Sequence, residues 1–113
     1  MSLPIHRADW FKKDFDRQFR WYLSKAGETA AEGYLAAVEG TVEELARHPE
    51  MGRLRRFRHP KLQGLRSFRV ARPFHRHILF YRYGEEALIV KRVMHGVRNL
   101  ARRLAEPPSV CEE

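Results

Sequence analysis

At 113 residues and 13.4 kDa, with 43% hydrophobic residues, the chain fits one domain with a modest core that needs no staples. Its one cysteine, Cys111, excludes a disulfide framework and a cysteine-based metal site, and its six histidines show no metal-ligand spacing with carboxylates. No segment has the length of an apolar membrane span and residues 1–9 lack the apolar run of a signal peptide, so a reducing cytoplasm is the expected compartment, with no cofactor.

The net charge of +8 is unevenly spread. Residues 1–52 carry 7 Lys/Arg against 9 Asp/Glu, residues 53–103 carry 15 against 2, and residues 104–113 hold three acids and no cation. The C-terminal half is therefore expected to attract polyanions or an acidic polypeptide.

In chain order, Leu3–Arg7 is a short candidate edge strand. Asp9 is a candidate cap for the helix that follows. Phe11, Phe15, Phe19 and Tyr22 recur at helical spacing, flanked by Trp10 and Leu23, and Lys12, Lys13, Asp16 and Arg20 occupy much of the other side. Such a stripe packs a core far more often than it stacks bases, so core is the reading here. Gly27 ends this helix. Thr29-Ala30-Ala31-Glu32 reads as a capping box, and Tyr34, Leu35, Val38, Val42 and Leu45 form the apolar face of a second helix running to about Arg47. Pro49 stops it. The short link makes the two helices an antiparallel hairpin.

The most basic segment follows, Arg53-Leu54-Arg55-Arg56-Phe57-Arg58-His59-Pro60-Lys61. Clustered arginine with an interleaved aromatic suits phosphate backbones and stacked bases, and equally an acidic peptide. Leu65–Val70, Arg76–Tyr83 and Ala87–Met94 then have the length and composition of strands. The last two are joined by a hairpin at Tyr83-Gly84-Glu85-Glu86, where Gly84 is expected to supply unusual backbone angles. Strict alternation puts Ile78, Phe80 and Arg82 on one face of the middle strand, with Leu79, Tyr81 and Tyr83 on the other. In the last strand it pairs Leu88 with Val90 and Ile89 with Val93. These strands form a small antiparallel sheet with a basic open side. Residues 101–104 give one helical turn, and a disordered tail over 105–113 is expected to follow a single domain over 1–104. Helix, helix, then strands argues for an α+β fold.

The run Arg92-Val93-Met94-His95-Gly96-Val97-Arg98-Asn99-Leu100 resembles the closing motif of the ParE branch of the RelE/ParE toxin superfamily. Leu65–Phe68 and Phe80–Arg82 resemble that family's second and third strands, and His48–Arg53 its helix-ending motif. The likeness runs in unbroken order from about Ile5 to Leu104. It implies an N-terminal edge strand, a helical hairpin packed on a small antiparallel sheet, and a short C-terminal helix. It also implies a plasmid-stabilisation toxin of a type II toxin–antitoxin pair, bound and neutralised by a cognate acidic antitoxin and oligomeric only with it.

The resemblance leaves the target to be argued. ParE-like members poison DNA gyrase; RelE-like members cut messenger RNA on the ribosome. RNA cleavage by the 2′-hydroxyl needs a base, cationic stabilisation of the crowded phosphate and an acid for the leaving oxygen, with no metal. The candidates for those roles are His95, Arg98, Tyr81, Arg66 and Arg69, with His75 and His77 as substitutes. Yet the arginine that opens the middle strand in RelE-like members falls on Ile78, and no tyrosine follows Arg98. Asn99 stands where ParE-like sequences usually carry Asp. The expectation is therefore a gyrase-binding toxin, with a target and antitoxin surface formed by His95, Arg98, Asn99, Arg102, Arg103, Arg82, Arg55, Arg56 and Arg58. A ribosome-dependent endoribonuclease is the alternative, and a non-toxic basic binding module the third reading.

Overall fold

Strand β1 (Ile5–Arg7) leads into helix α1 (Asp9–Ala26), which turns back through one residue into helix α2 (Glu28–Arg47). The computed structural model of the chain describes residues 2–96 and 100–108. After α2 come a 3-10 turn over Pro49–Met51, β2 (Arg53–Leu54), a second such turn over Pro60–Leu62, β3 (Arg66–Arg69), β4 (His77–Tyr83), β5 (Leu88–His95) and α3 (Leu100–Ala105). The fold is α+β, as expected.

The helical hairpin is tighter than expected. Gly27 alone links the helices, at φ 95°, a conformation open to glycine and strained for other residues. With a one-residue link, α2 begins at Glu28 and Thr29 is already helical, so the Thr29–Glu32 capping box does not form. Asp9 does not cap α1 either. Ala8 holds the cap position without a side-chain bond, and Asp9 is the first helical residue, where its charge still favours the helix dipole.

The five strands form one sheet in the order β1-β5-β4-β3-β2. β2, β3, β4 and β5 are antiparallel neighbours, but β1 pairs parallel to β5, with Ile5 opposite Leu88. The sheet is thus mixed. The reason is topological: the helical hairpin returns the chain as β2, antiparallel to β1, and the three reversals from β2 through β3 and β4 leave β5 running in the direction of β1.

One bulge decides which side chains reach the core. Tyr81 faces Val90 while Phe80 faces Arg92, so Lys91 is an extra residue in β5. It resets the alternation, and Val93 joins Leu88 and Val90 on the helix-covered face, not Ile89. On that face Phe11, Tyr34, Val38, Val42, Leu45, Val70, Leu79 and Tyr81 complete the main core. Each fully buried aliphatic or phenylalanine side chain there stabilises the fold by roughly 1.5–3 kcal/mol relative to exposure. Leu35, expected in this set, points outward at 39% exposure.

The opposite face is not an open basic surface. Leu62, Leu65, Phe80, Met94 and Leu104 form a second core there, with Phe57, Ile78 and Leu100 packed against it. The loop after β2 and helix α3 therefore cover the sheet's second side. Gly84 has no positive φ; the hairpin closes through the bond from Gly84 N to the Ala87 carbonyl at 3.0 Å.

Candidate functional site

Where β1 stops, the outer edge of β5 is capped by side chains. Asp14 accepts from Val93 N at 3.2 Å, and Gln18 Nε2 donates to the Val93 carbonyl at 3.0 Å. Spaced four apart on α1, these two side chains replace one rung of a strand ladder. Asp14 also takes Arg92 through two bonds of 2.6 and 3.0 Å, and Arg92 Nη1 reaches the carbonyls of Leu104 (3.2 Å) and Glu106 (2.7 Å). The Trp10 ring lies 5.2 Å from that guanidinium. Arg92 thus ties α1, β5 and the carbonyl end of α3 together.

Beside this clamp a cleft of about 430 Å³ opens between α1, the end of β5 and the segment after α3. Its working lining is Arg17, Trp21, Tyr22, His77, His95 and Arg103. His77 sits directly opposite His95 in the β4–β5 register, with ring centroids 4.7 Å apart. His77 Nε2 lies 2.9 Å from the Tyr22 hydroxyl, and its Nδ1 has no hydrogen-bond partner among the described residues. Burial, and then the nearby His95, push the His77 pKa down to about 4. It is therefore neutral at pH 7 and 3% exposed, whereas His95 and Trp21 are open to solvent. An aromatic wall, an exposed imidazole and a rim arginine can hold a carboxylate or phosphate through charge-assisted bonds.

The residues expected to form an RNA-cleaving set are dispersed. Tyr81 is fully buried; its hydroxyl donates to the Pro49 carbonyl at 2.6 Å and accepts from Gly52 N at 2.9 Å. It faces the helices, four positions along β4 from His77. Arg66 bonds the carbonyls of Gly52 (2.8 Å) and Glu50 (3.2 Å), and Arg69 bonds that of His75 (2.8 Å). Arg82 holds the carbonyls of Gln63 (2.8 Å) and Lys61 (2.6 Å), and Arg55 Nε donates to Ser67 Oγ at 3.0 Å. Arg56 and Arg58 are exposed, and Arg102 pairs with Glu106 at 3.1 Å. Arg98 and Asn99 lie outside the described residues. Among the described residues of the expected surface, only His95 and Arg103 line the cleft.

Asp14, Arg17, Gln18 and Trp21 escaped the sequence reading. A signal was present for two of them. Asp14 and Gln18 fall among the apolar positions 11, 15 and 22 of the α1 stripe, and polar residues there imply buried partners.

Three comparisons agree with this geometry. The family model described as ParE toxin of type II toxin-antitoxin system, parDE, matches residues 6–100. Among curated proteins, Toxin ParE3 of Caulobacter vibrioides is 32% identical over 93 residues, covering 82% of this chain and 86% of that one. Toxin RelE3 of the same organism is 28% identical over 86 residues, covering 76% and 86%. Among solved structures, that of the chromosomal ParDE TA system from P. aeruginosa superposes with a TM-score of 0.66 at 16% identity, covering 83% of this chain and 96% of that one, a likeness of fold. Because that family model spans residues 6–100, well over half of the chain, the chain belongs to the ParE toxin family of type II toxin–antitoxin systems.

Proposed function

We propose that the chain is a toxin that arrests growth by binding DNA gyrase, and that a cognate acidic antitoxin neutralises it. The observation that supports binding over cleavage is the commitment of the sheet's polar groups to the fold. The Tyr81 hydroxyl makes both of its hydrogen bonds to backbone, and the guanidiniums of Arg66, Arg69 and Arg82 are bonded to carbonyls. A tyrosine so placed cannot reach a substrate proton, which general acid–base catalysis requires. Target contacts are assigned to His95, Arg98 and Asn99 with Arg102 and Arg103. The antitoxin is assigned an acidic segment, drawn by the excess of cations in residues 53–103.

One observation favours a second reading, a ribosome-dependent endoribonuclease: His95 and Arg103 share a cleft with Tyr22. Pulse labelling after induction separates the two. The gyrase reading expects DNA synthesis to stop first while translation continues. Immediate loss of translation with codon-spaced cuts in messenger RNA would favour cleavage.

A further inference from the structure

Between Arg53 and Tyr83 the chain carries ten Lys/Arg and no Asp or Glu. The fold sorts these cations. Arg55, Arg66, Arg69 and Arg82 donate to oxygens of neighbouring segments, and Arg72 and Arg76 are exposed in the turn before β4. Arg53, Arg56, Arg58 and Lys61 are exposed, and among the described residues no carboxylate pairs with any of them. All four lie in the segment between α2 and β3.

This segment is pinned. Arg55 N donates to the Leu65 carbonyl at 2.9 Å, Gln63 Nε2 to the Phe57 carbonyl at 2.8 Å, and Lys61 N to His59 Nδ1 at 3.1 Å. Arg82 holds the carbonyls of Lys61 and Gln63, and Leu62 is buried in the second core. Four like charges are thus presented on a preset frame, and a ligand that meets them orders their side chains but not the backbone.

We propose that Arg53, Arg56, Arg58 and Lys61 form a binding surface for the phosphate backbone of duplex DNA, independent of sequence. Duplex DNA carries about one negative charge per 1.7 Å of axis, a density that suits a compact cation array. A single strand would need an exposed aromatic on which to stack bases. The loop's one aromatic, Phe57, is half-buried against the second core, with the Arg55 guanidinium 6.0 Å from its ring. An acidic amphipathic peptide would need an apolar groove beside the charges. Over residues 53–62 Phe57 and Leu62 turn inward while Leu54 and Pro60 are exposed, and the cleft of about 570 Å³ beside this segment is lined by Lys61 but by none of Arg53, Arg56 and Arg58. The inference does not depend on which macromolecule the toxin poisons.

The test is fluorescence anisotropy of a labelled 20-base-pair duplex of arbitrary sequence with the full chain, from 50 to 200 mM salt. Four phosphate contacts give a slope of about −3.6 in log affinity against log salt, or roughly a 150-fold loss across that range. R53Q/R56Q/R58Q/K61Q should lose most of the binding and flatten the slope, with an unchanged melting curve. A control with four charges removed elsewhere, K12Q/K13Q/K25Q/R47Q, should keep both. The proposal is overturned if the duplex is not bound at 50 mM salt or if the control loses as much. Tighter binding of single strands, or competition by polyglutamate as strong per charge as by duplex, overturns it equally and assigns the loop to another polymer.

Discussion

Replacing Asp14 by alanine tests how the candidate cleft is held together. Asp14 and Arg92 are 2% and 4% exposed, and their two bonds of 2.6 and 3.0 Å leave the carboxylate with one further donor, Val93 N. Burial pushes the Asp14 carboxyl above its usual range against the pull of Arg92, so forming the charged pair is itself costly. Breaking it costs more, because Asp14→Ala strands a buried guanidinium without its counter-ion. The expected loss is about 3–5 kcal/mol. For a chain of this size that lowers Tm by on the order of 15 °C. Thermal melts of D14A, R92M and D14L/R92M provide the measurement. The double variant leaves no buried charge and should recover much of the loss, although the carbonyls of Leu104 and Glu106 lose their donor. Asp16→Ala is the internal control. Its partner Arg20 lies 3.1 Å away but the pair is 59% and 76% exposed, so that change should stay under about 1 kcal/mol. If Asp14→Ala costs no more than Asp16→Ala, the clamp is not what fixes α1, β5 and α3.

Four further expectations follow. A Cβ on Gly52 would lie 2.3 Å from the Tyr81 hydroxyl, so Gly52→Ala should destabilise the fold by about 1–3 kcal/mol. Tyr81→Phe should cost a similar amount through its unpaired backbone partners, yet leave toxicity intact in protein that remains folded; a catalytic tyrosine would instead lose activity at unchanged Tm. His77 is depressed to about 4 from an ordinary 6.5, so its neutral form contributes stability that is complete above pH 6.5 and lost as pH falls toward 4. The loss is about 3 kcal/mol, and Tm measured between pH 7 and 4.5 should fall less in His77→Phe than in the unmodified chain. Arg98→Ala should weaken target binding by roughly one to two decades, because a guanidinium contact with an anion is worth about 1.5–3 kcal/mol. Growth arrest should suffer more from that change than from Arg56→Ala or Arg58→Ala, where the cations lie in the exposed loop.

Much of the architecture was legible because it rests on periodicity. The hairpin of α1 and α2, the stop at Pro49 and three of the strands follow from apolar spacing and turn residues that act locally. What the sequence hid was long-range. The parallel pairing of β1 depends on the helical hairpin and the three strand reversals that separate it from β5, and Lys91 becomes a bulge only through the pairing of β5 with β4. Strict alternation therefore placed Ile89, and not Leu88, beside Val93. The site was less legible for a related reason. Arginines read as a target surface, such as Arg82 and Arg55, are bonded to carbonyl or hydroxyl oxygens of segments distant in sequence. Composition records their charge and not their partners. Tyr81 shows the same limit, since its hydroxyl is taken up by a turn 29 to 32 residues away in the chain.

The most direct test of the central reading is a supercoiling reaction with purified gyrase, relaxed plasmid and ATP, titrated with the purified chain and quenched with detergent. Gyrase poisoning predicts loss of supercoiled product and a rise in linear DNA that is trapped by the quench, with ribosome-bound messenger RNA left intact in a parallel reaction. Full supercoiling at saturating toxin, together with cleaved messenger RNA, would contradict it.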